Sequence, residues 1–413
     1  MRLPTISGFK SQVFQISKQY ERVTNLQIQA TSAKKIQHGS EAPSLSLQVK
    51  SAENFTDKLK AYDLNLKRAE SRVALSELAI NNTENLLDRA RSLVLRAKNA
   101  TMTNADRATS AKELETISAN LLDVSNTKDS NGEYIFSGMN GNQPAYVDEN
   151  GTFSYKGSLS PTQIAISEGT EVIYNESGFR VFGDIKSGNG TFSIASDTVN
   201  NTGSGLLGTA KITNLSNVVK DTYTITMVTN SGGKLAYQVL GAVSGQVIPA
   251  LPDAIPADAP EYVAGATINF NGISTELSGE PAAGDTFTIT PSSRQNVFET
   301  LQNLITVLST STDSAKSRAD FEQVVMEQFV SLSNVGDHLS DIHSEIGGRA
   351  NVIDREMEFT SNRILEQDLL ISHLGDADIT ETLSDLTKGL TILELTQRTY
   401  STIQDSLNRL LTR

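Results

Sequence analysis

The chain contains 413 residues and no cysteine, and its formal net charge is −13. Because this length exceeds the usual size of one hydrophobic core, we expect two or three structural units. The acidic balance and the scattered Lys and Arg argue against a nucleic-acid-binding surface, and the missing cysteines exclude disulfides and thiolate metal sites. The sequence shows neither the apolar stretch of a cleaved signal peptide nor the roughly 20 apolar residues of a membrane span, so we expect no membrane insertion.

The N-terminal segment has the apolar spacing of an amphipathic helix from about residue 6 to 31. Its apolar positions are Phe9, Val13, Ile16, Tyr20 and Val23. A lone helix gains little stability from intrinsic propensity and needs a packing partner. We therefore expect contact with the C-terminal helix and with neighbouring subunits to order this helix. The alternative is that the two terminal helices close one bundle within a single chain.

A long helical stretch follows, because neither Gly nor Pro occurs between Ser44 and Ser130. Large apolar residues recur there at a spacing of seven, at Leu59, Leu66, Val73, Ile80, Leu87 and Val94. The companion row is mostly small, which predicts the close approach of another helix in a bundle core. Asn104 is the expected N-cap of a second helix, which should end before Gly132.

The middle of the chain, from about Met139 to Pro291, is rich in Gly, Asn, Ser, Thr and Pro and alternates short β-type runs with turn signals. Glu149, Asn150 and Gly151 lie between two such runs and predict a hairpin turn. We therefore expect a β-rich insert between two helical arms.

The C-terminal arm repeats the helical design. One row spaced by seven contains Leu332, Leu339, Ile346 and Ile353, and a second row, displaced by four residues, contains Ala350, Met357, Ile364 and Ile371. Asp378 and Glu381 resemble a capping box and predict the start of a last helix. The apolar rows of that helix contain Ile379, Leu383, Leu386, Leu390, Leu393, Tyr400 and Leu407.

These elements predict an α+β architecture, in which a long antiparallel helical bundle from both chain ends carries a β-rich central insert. The expected divisions are an assembly helix and loop (1–42), the first half of the bundle (43–137), β-hairpins attached to the bundle (138–186), an outer β-rich domain (187–290), the second half of the bundle (291–375) and a C-terminal assembly helix (376–413).

Groups that could carry chemistry are few and dispersed. His338 and His343 are five residues apart on a predicted helix, so they do not form the i, i+4 pair that binds a metal. Asp337 and Asp341 are better explained as the solvated face of that helix than as an acid–base pair. We therefore expect no catalytic, cofactor-binding or metal-binding residues, and no enzymatic activity.

Four segments carry a resemblance to a known family, one of which, GDTFTITPSSRQNVFETLQNLI (284–305), is similar to that family's return from the insert to a helix. The string ATSAKKIQHGSEAPS (30–44) is similar to the loop that joins the terminal helix to the bundle in the flagellin superfamily. The string LLDVSNTKDSNGEYIFSGMNGNQPAY (121–146) is similar to the end of a bundle helix in that superfamily's hook–filament junction proteins, and IGGRANVIDREME (346–358) resembles one of their helical segments. The matches lie in both helical arms and leave the insert uncovered.

The resemblance implies a structural subunit of the bacterial flagellum that joins the hook to the filament. It implies export without signal cleavage, an extracellular location and assembly into a homo-oligomeric ring. The implied partners are hook-associated protein 1, filament flagellin and an export chaperone that binds the C-terminal helix. Two alternatives stay open: a filament flagellin, or a secreted adhesin on a flagellin-like scaffold.

The apolar rows divide into two predicted residue sets. The expected assembly interface comprises Phe9, Val13, Ile16, Tyr20, Val23, Ile379, Leu383, Leu386, Leu390, Leu393, Tyr400 and Leu407. The expected bundle core comprises Leu59, Leu66, Val73, Ile80, Leu87, Val94, Leu339, Ile346, Ile353, Met357 and Ile364.

Overall fold

The computed structural model describes residues 3–99, 102–253, 255–310 and 314–411, and it describes side chains between Lys10 and Ser406 except Ala315. The helices in these ranges are α1 (Leu3–Ser32), α2 (Pro43–Ala97), α3 (Asn104–Ser125), α4 (Val297–Thr310), α5 (Ala315–Gly375) and α6 (Ile379–Leu411). All fifteen strands of the described residues lie between α3 and α4. The predicted α+β class, with helical arms around a β-rich insert, is confirmed.

The strands form small antiparallel sheets. Their bounds are β1 (Tyr146–Glu149), β2 (Thr152–Tyr155), β3 (Thr162–Ser167), β4 (Thr170–Asn175), β5 (Ile185–Lys186), β6 (Phe192–Ser196), β7 (Leu206–Leu207), β8 (Lys211–Ile212), β9 (Tyr223–Thr229), β10 (Leu235–Gly241), β11 (Gly245–Ile248), β12 (Ala266–Phe270), β13 (Ile273–Ser278), β14 (Thr286–Pro291) and β15 (Arg294–Gln295). A π-helical turn occupies Phe179–Gly183, and a 3₁₀ turn occupies Leu215–Asn217.

Contacts between Cα atoms divide the chain into two compact units. The terminal unit comprises residues up to 66 and from 355 onward, and the central unit comprises residues 67–354. Helices α2 and α5 each contribute to both units, because the divisions fall inside them.

In the terminal unit, α1 and α6 pack against each other and run in opposite directions, since Gln19 contacts Gly389 and Lys34 pairs with Asp376. The loop after α1 is fixed to the α5–α6 turn by backbone bonds. The Lys35 N–H donates to the Gly375 carbonyl at 2.8 Å, and the Ala377 N–H donates to the Ala33 carbonyl at 2.8 Å.

In the central unit, α2 and α5 run in opposite directions, since Arg91 contacts Leu332 and Glu84 contacts His343. The small row of α2 is buried at Ala69, Ser76, Thr83, Ala90 and Ala97. Small side chains on one helix allow another helix to approach closely. The Arg91 guanidinium donates to the backbone carbonyls of Leu332 (3.0 Å) and Ser333 (3.2 Å) of α5. A Cβ atom at Gly336 would collide with this guanidinium, so Gly336 provides the space that the contact needs.

The insert of the central unit builds its core between two sheets. The five-stranded sheet has the order β11-β10-β9-β14-β6, and a second sheet contains β12, β13 and β7. Alternate residues of these strands are buried in one apolar cluster that includes Tyr223, Ile225, Phe270, Ile273 and Phe287. Gln323 of α5 is buried and exchanges two hydrogen bonds with the backbone of Leu207, so the insert is attached to the helix directly.

Local signals are partly confirmed. The predicted hairpin joins β1 to β2, with Asn150 (φ 59°) and Gly151 (φ 85°) in the left-handed region that a tight hairpin turn requires. The Asp378 carboxylate accepts from the N–H groups of Thr380 and Glu381 and so caps α6.

The prediction for the N-cap of α3 was wrong by one residue. Thr103, not Asn104, is the N-cap, because its hydroxyl and the Asp106 carboxylate form a reciprocal capping box.

Candidate assembly surface

The contact between α1 and α6 is centred on a glycine. Gly389 is buried, and a Cβ atom there would lie 3.2 Å from Cγ2 of Val23. The Gln19 side-chain amide donates to the Gly389 carbonyl at 3.4 Å. Glycine inside a helix costs about 1 kcal/mol relative to alanine, so its placement at this contact is explained by the close approach of the two helices.

Only part of the predicted assembly set lies in that contact. Val23 and Leu393 are buried, whereas Ile16, Leu386 and Tyr400 are half-buried. The other described members each expose more than a third of their surface to solvent. They are Val13, Tyr20, Ile379, Leu383 and Leu390. Phe9 and Leu407 lie outside the residues whose side chains are described. Replacing Leu393 therefore perturbs the α1–α6 contact itself, and the exposed leucines are better probes of assembly.

Further apolar side chains are exposed on the same two helices. Phe14 of α1 and Ile392 and Leu395 of α6 are each about half exposed or more. A search for apolar residues spaced by seven does not find these side chains, because it follows one face of the helix and they lie on other faces. Mapping every apolar residue at 100° per residue finds them. A groove of about 610 Å³ also runs between the helices, and its lining includes Leu26, Ile392 and Thr396.

The predicted bundle-core residues are placed differently from the assembly set. Met357 and Ile364 of the terminal unit are half-buried. The remaining members are almost fully buried, namely Leu59, Leu66, Val73, Ile80, Leu87, Val94, Leu339, Ile346 and Ile353. Leu332, on the same row of α5, is also fully buried.

Two ion pairs of the central unit are largely buried. Arg72 donates to the Asp129 carboxylate (2.7 Å) and also pairs with Glu133. Burial by itself raises the pKa of Asp129, but hydrogen bonds from the Glu133 N–H, from Arg72 and from the Asn131 N–H outweigh burial and lower the pKa. A second pair joins the buried Glu176 to Arg349 of α5 at 2.8 Å. These groups anchor the loops and hairpins that follow α3.

The histidines make structural contacts. Nε2 of His338 lies 2.7 Å from the Arg180 carbonyl oxygen, and Nδ1 of His343 lies 3.4 Å from the Glu84 carboxylate. In the described ranges, no three His, Cys, Asp or Glu side chains come together as a metal site would require. Among the helices that the structure describes, none combines the length and apolar character of a membrane span.

Paired terminal helices with exposed apolar rows, a helical bundle and a β insert are the arrangement that the resemblance to the flagellin superfamily implies. Residues 12–141 match the model of the bacterial flagellin N-terminal helical region. A structure of the flagellar junction protein FlgL from Legionella pneumophila is 32% identical and covers 75% of this chain and 99% of its own, with a TM-score of 0.70. A structure of flagellar hook associated protein-3 from the same organism is 30% identical and covers 79% of this chain and 98% of its own, with a TM-score of 0.74.

The chain belongs to the family of flagellar hook-associated protein 3. The similarity to these two structures confirms the predicted resemblance. The members of this family are structural flagellar proteins. Flagellar hook-associated protein 3 of Escherichia coli K12 is 24% identical over 159 residues, or 38% of this chain and 50% of that protein. The chain spans about half the length of the curated relatives that it matches.

Proposed function

We propose that this protein is a structural subunit that joins the flagellar hook to the filament and assembles with its own copies through α1 and α6. The observation that carries the proposal is the row of exposed apolar side chains on two helices that are already paired, including Tyr20, Leu383 and Leu390. Removing apolar surface from water is favourable by about 25 cal/mol per Å². Contiguous apolar patches on a folded protein therefore mark interaction sites.

The finer features of the proposal are supported by family membership alone. The subunit forms a homo-oligomeric ring that contacts hook-associated protein 1 on one side and filament flagellin on the other. An export chaperone covers α6 before assembly, and the protein leaves the cell without signal cleavage. The protein is not an enzyme. Arg72 and Glu176 form ion pairs within the fold, and His338 contacts the Arg180 carbonyl. These contacts support this last point, because they occupy the polar groups in holding the fold together.

The experiment replaces exposed leucines of α6 by aspartate. The double variant Leu383→Asp/Leu390→Asp should keep the helical content of the isolated protein, because both side chains contact solvent. It should lose assembly, since an unpaired charge buried at an interface costs several kcal/mol, on the order of 3. Incorporation is measured by expressing the variant in a deletion strain and counting cells that retain filaments.

Leu78→Asp is the matched control, because Leu78 is 57% exposed on α2 and lies outside the predicted interface. This variant should assemble normally. Normal filament retention by the double variant would contradict assembly through α6. Long filaments formed by the purified protein alone would indicate a filament flagellin, whereas growth only from added hook ends supports the junction role.

A further inference from the structure

The last part of α5 presents two leucines on the side of the helix away from its packing. Leu365 and Leu369 are 61% and 64% exposed, whereas Ile353 and Thr360 on the opposite side are buried. Glu358 lies on the same stripe as the leucines, and Glu366 and Asp368 border it, at 100° per residue. We call this surface the acidic leucine face. Within the described residues, none of its three carboxylates forms an ion pair.

A second exposed surface, on α1, has the opposite charge. Phe14 is 66% exposed and, at 100° per residue, lies on the side of α1 opposite the buried Val23. Lys10 and Lys18 lie one turn on either side of it, and the Lys18 Nζ atom is 6.0 Å from the centre of the Phe14 ring. Glu21 ends the stripe. We call Lys10, Phe14 and Lys18 the basic phenylalanine face.

From these two faces we infer that the acidic leucine face of one copy binds the basic phenylalanine face of a second copy. The inference rests on the proposed function and names the partner surface of α1. Both faces combine an apolar centre with flanking charges, and their charges are complementary in sign. Complementary charges fix the register and the partner of an interface, and the apolar centre supplies most of its stability.

The pairing determines the symmetry of the contact. Because the two faces differ, a copy that uses its α1 face still presents a free α5 face to the next copy. Such head-to-tail contacts continue around a closed ring or along an open helix, whereas a self-complementary contact would stop at a dimer. This surface is therefore suited to a subunit that assembles in a ring.

The absence of cysteine in the natural chain allows a direct test by cross-linking. Full-length Phe14→Cys and Leu369→Cys chains are mixed in the presence of hook ends, under conditions where sedimentation shows association, and then oxidised with copper phenanthroline. A disulfide between the two variants should form at least about tenfold more than between Phe14→Cys and Leu78→Cys, because cross-linking follows proximity in the assembled state.

A charge exchange tests the electrostatic part of the inference. Glu358→Lys/Glu366→Lys, added to the Leu369→Cys chain, should lower the cross-linked yield about tenfold, because like charges then face each other. Lys10→Glu/Lys18→Glu, added to the Phe14→Cys chain, should restore the yield. Restoration supports the proposed pairing, because a variant that merely misfolds cannot be rescued by its partner.

Three results would overturn the inference. Equal cross-linking with Leu78→Cys in associated samples would show that the copies meet through other faces, while the proposed function would stand. Disulfides among Leu369→Cys chains alone would show a two-fold contact of α5 with itself. Wild-type protein that shows no association, even with hook ends present, would remove the inference and the proposed function together.

Discussion

The central and terminal units use similar rows of apolar residues with opposite results. In the central unit, Ile80, Leu87 and Leu339 are almost completely buried beside a row of small residues. In the terminal unit, α1 and α6 bury a narrow seam at Val23, Gly389 and Leu393 and leave their other apolar residues exposed. An apolar row in a sequence therefore predicts burial, but it does not tell whether the partner belongs to the same molecule.

The two units also differ in whether they contain buried ion pairs. The central unit buries Arg72 and Glu176 and gives each a partner of opposite charge. Ion pairs on α6, such as Lys388 with Asp385, are exposed and join residues of one helix. Exposed pairs contribute about 0–1 kcal/mol, whereas breaking a buried pair is costly. The central unit thus packs its apolar and charged groups within one chain, whereas the terminal unit leaves apolar surface exposed that a second chain could cover.

The largest contrast is expected from leucine-to-alanine changes in the two units. Leu87→Ala should lower the free energy of unfolding by about 2–5 kcal/mol, because it leaves a cavity in a packed core. Leu390→Ala, at a side chain that is 44% exposed, should change it by less than about 1 kcal/mol. Urea unfolding followed by circular dichroism measures both values, and equal losses would show that the comparison is wrong.

Removing a buried carboxylate should give the next largest effect. Glu176→Ala leaves the Arg349 guanidinium without its 2.8 Å partner, so we expect a loss of about 3 kcal/mol in the free energy of unfolding. Glu345→Ala is the matched control, because Glu345 also pairs with Arg349 (3.4 Å) and Arg180 (2.7 Å) but is half exposed. The control should lose less than about 1 kcal/mol. A Glu176 variant as stable as the control would refute the role of this pair.

A smaller effect, confined to the terminal unit, is expected at Gly389. Gly389→Leu should separate α1 from α6, because even a Cβ atom is tight against Val23, and we expect a cost of about 1–2 kcal/mol. Hydrogen exchange of the α1 amides should accelerate, whereas exchange in the β-sheets should not change. Thr391→Leu, at an exposed position of the same helix, serves as the control. Unchanged exchange in α1 would show that Gly389 is not needed for this contact.

The smallest effect depends on pH and reports on the central unit. The folded protein lowers the pKa of Asp129, so this carboxylate stabilises the fold above its unfolded pKa of about 3.9. The stabilisation is lost as the pH falls from about 4 through the lower folded pKa. Asp129→Asn should therefore be less stable than the natural protein at pH 7, and the difference should shrink below about pH 4. A difference that is independent of pH would argue against the ionised carboxylate as the cause.

Several features could be determined from the sequence alone because their causes are local. The absence of Gly and Pro from 44 to 130 predicts the long helical region, and Asn150–Gly151 predicts the hairpin because few residues tolerate its backbone angles. The small row of α2 indicates a packed face, and its members from Ala69 to Ala97 are buried. The resemblance of both arms to the flagellin superfamily depends on strings of this kind.

Other features were decided only by the tertiary structure. Leu390 and Leu393 belong to equivalent rows in the sequence, yet only Leu393 is buried, because Gly389 brings α1 onto one side of α6. The insertion of β14 between β9 and β6 joins residues far apart in the chain. The charges near Phe14 and Leu369 could be assigned to exposed surfaces only after the structure showed which side of each helix is buried. Periodicity describes one helix at a time, whereas burial depends on which second surface reaches it.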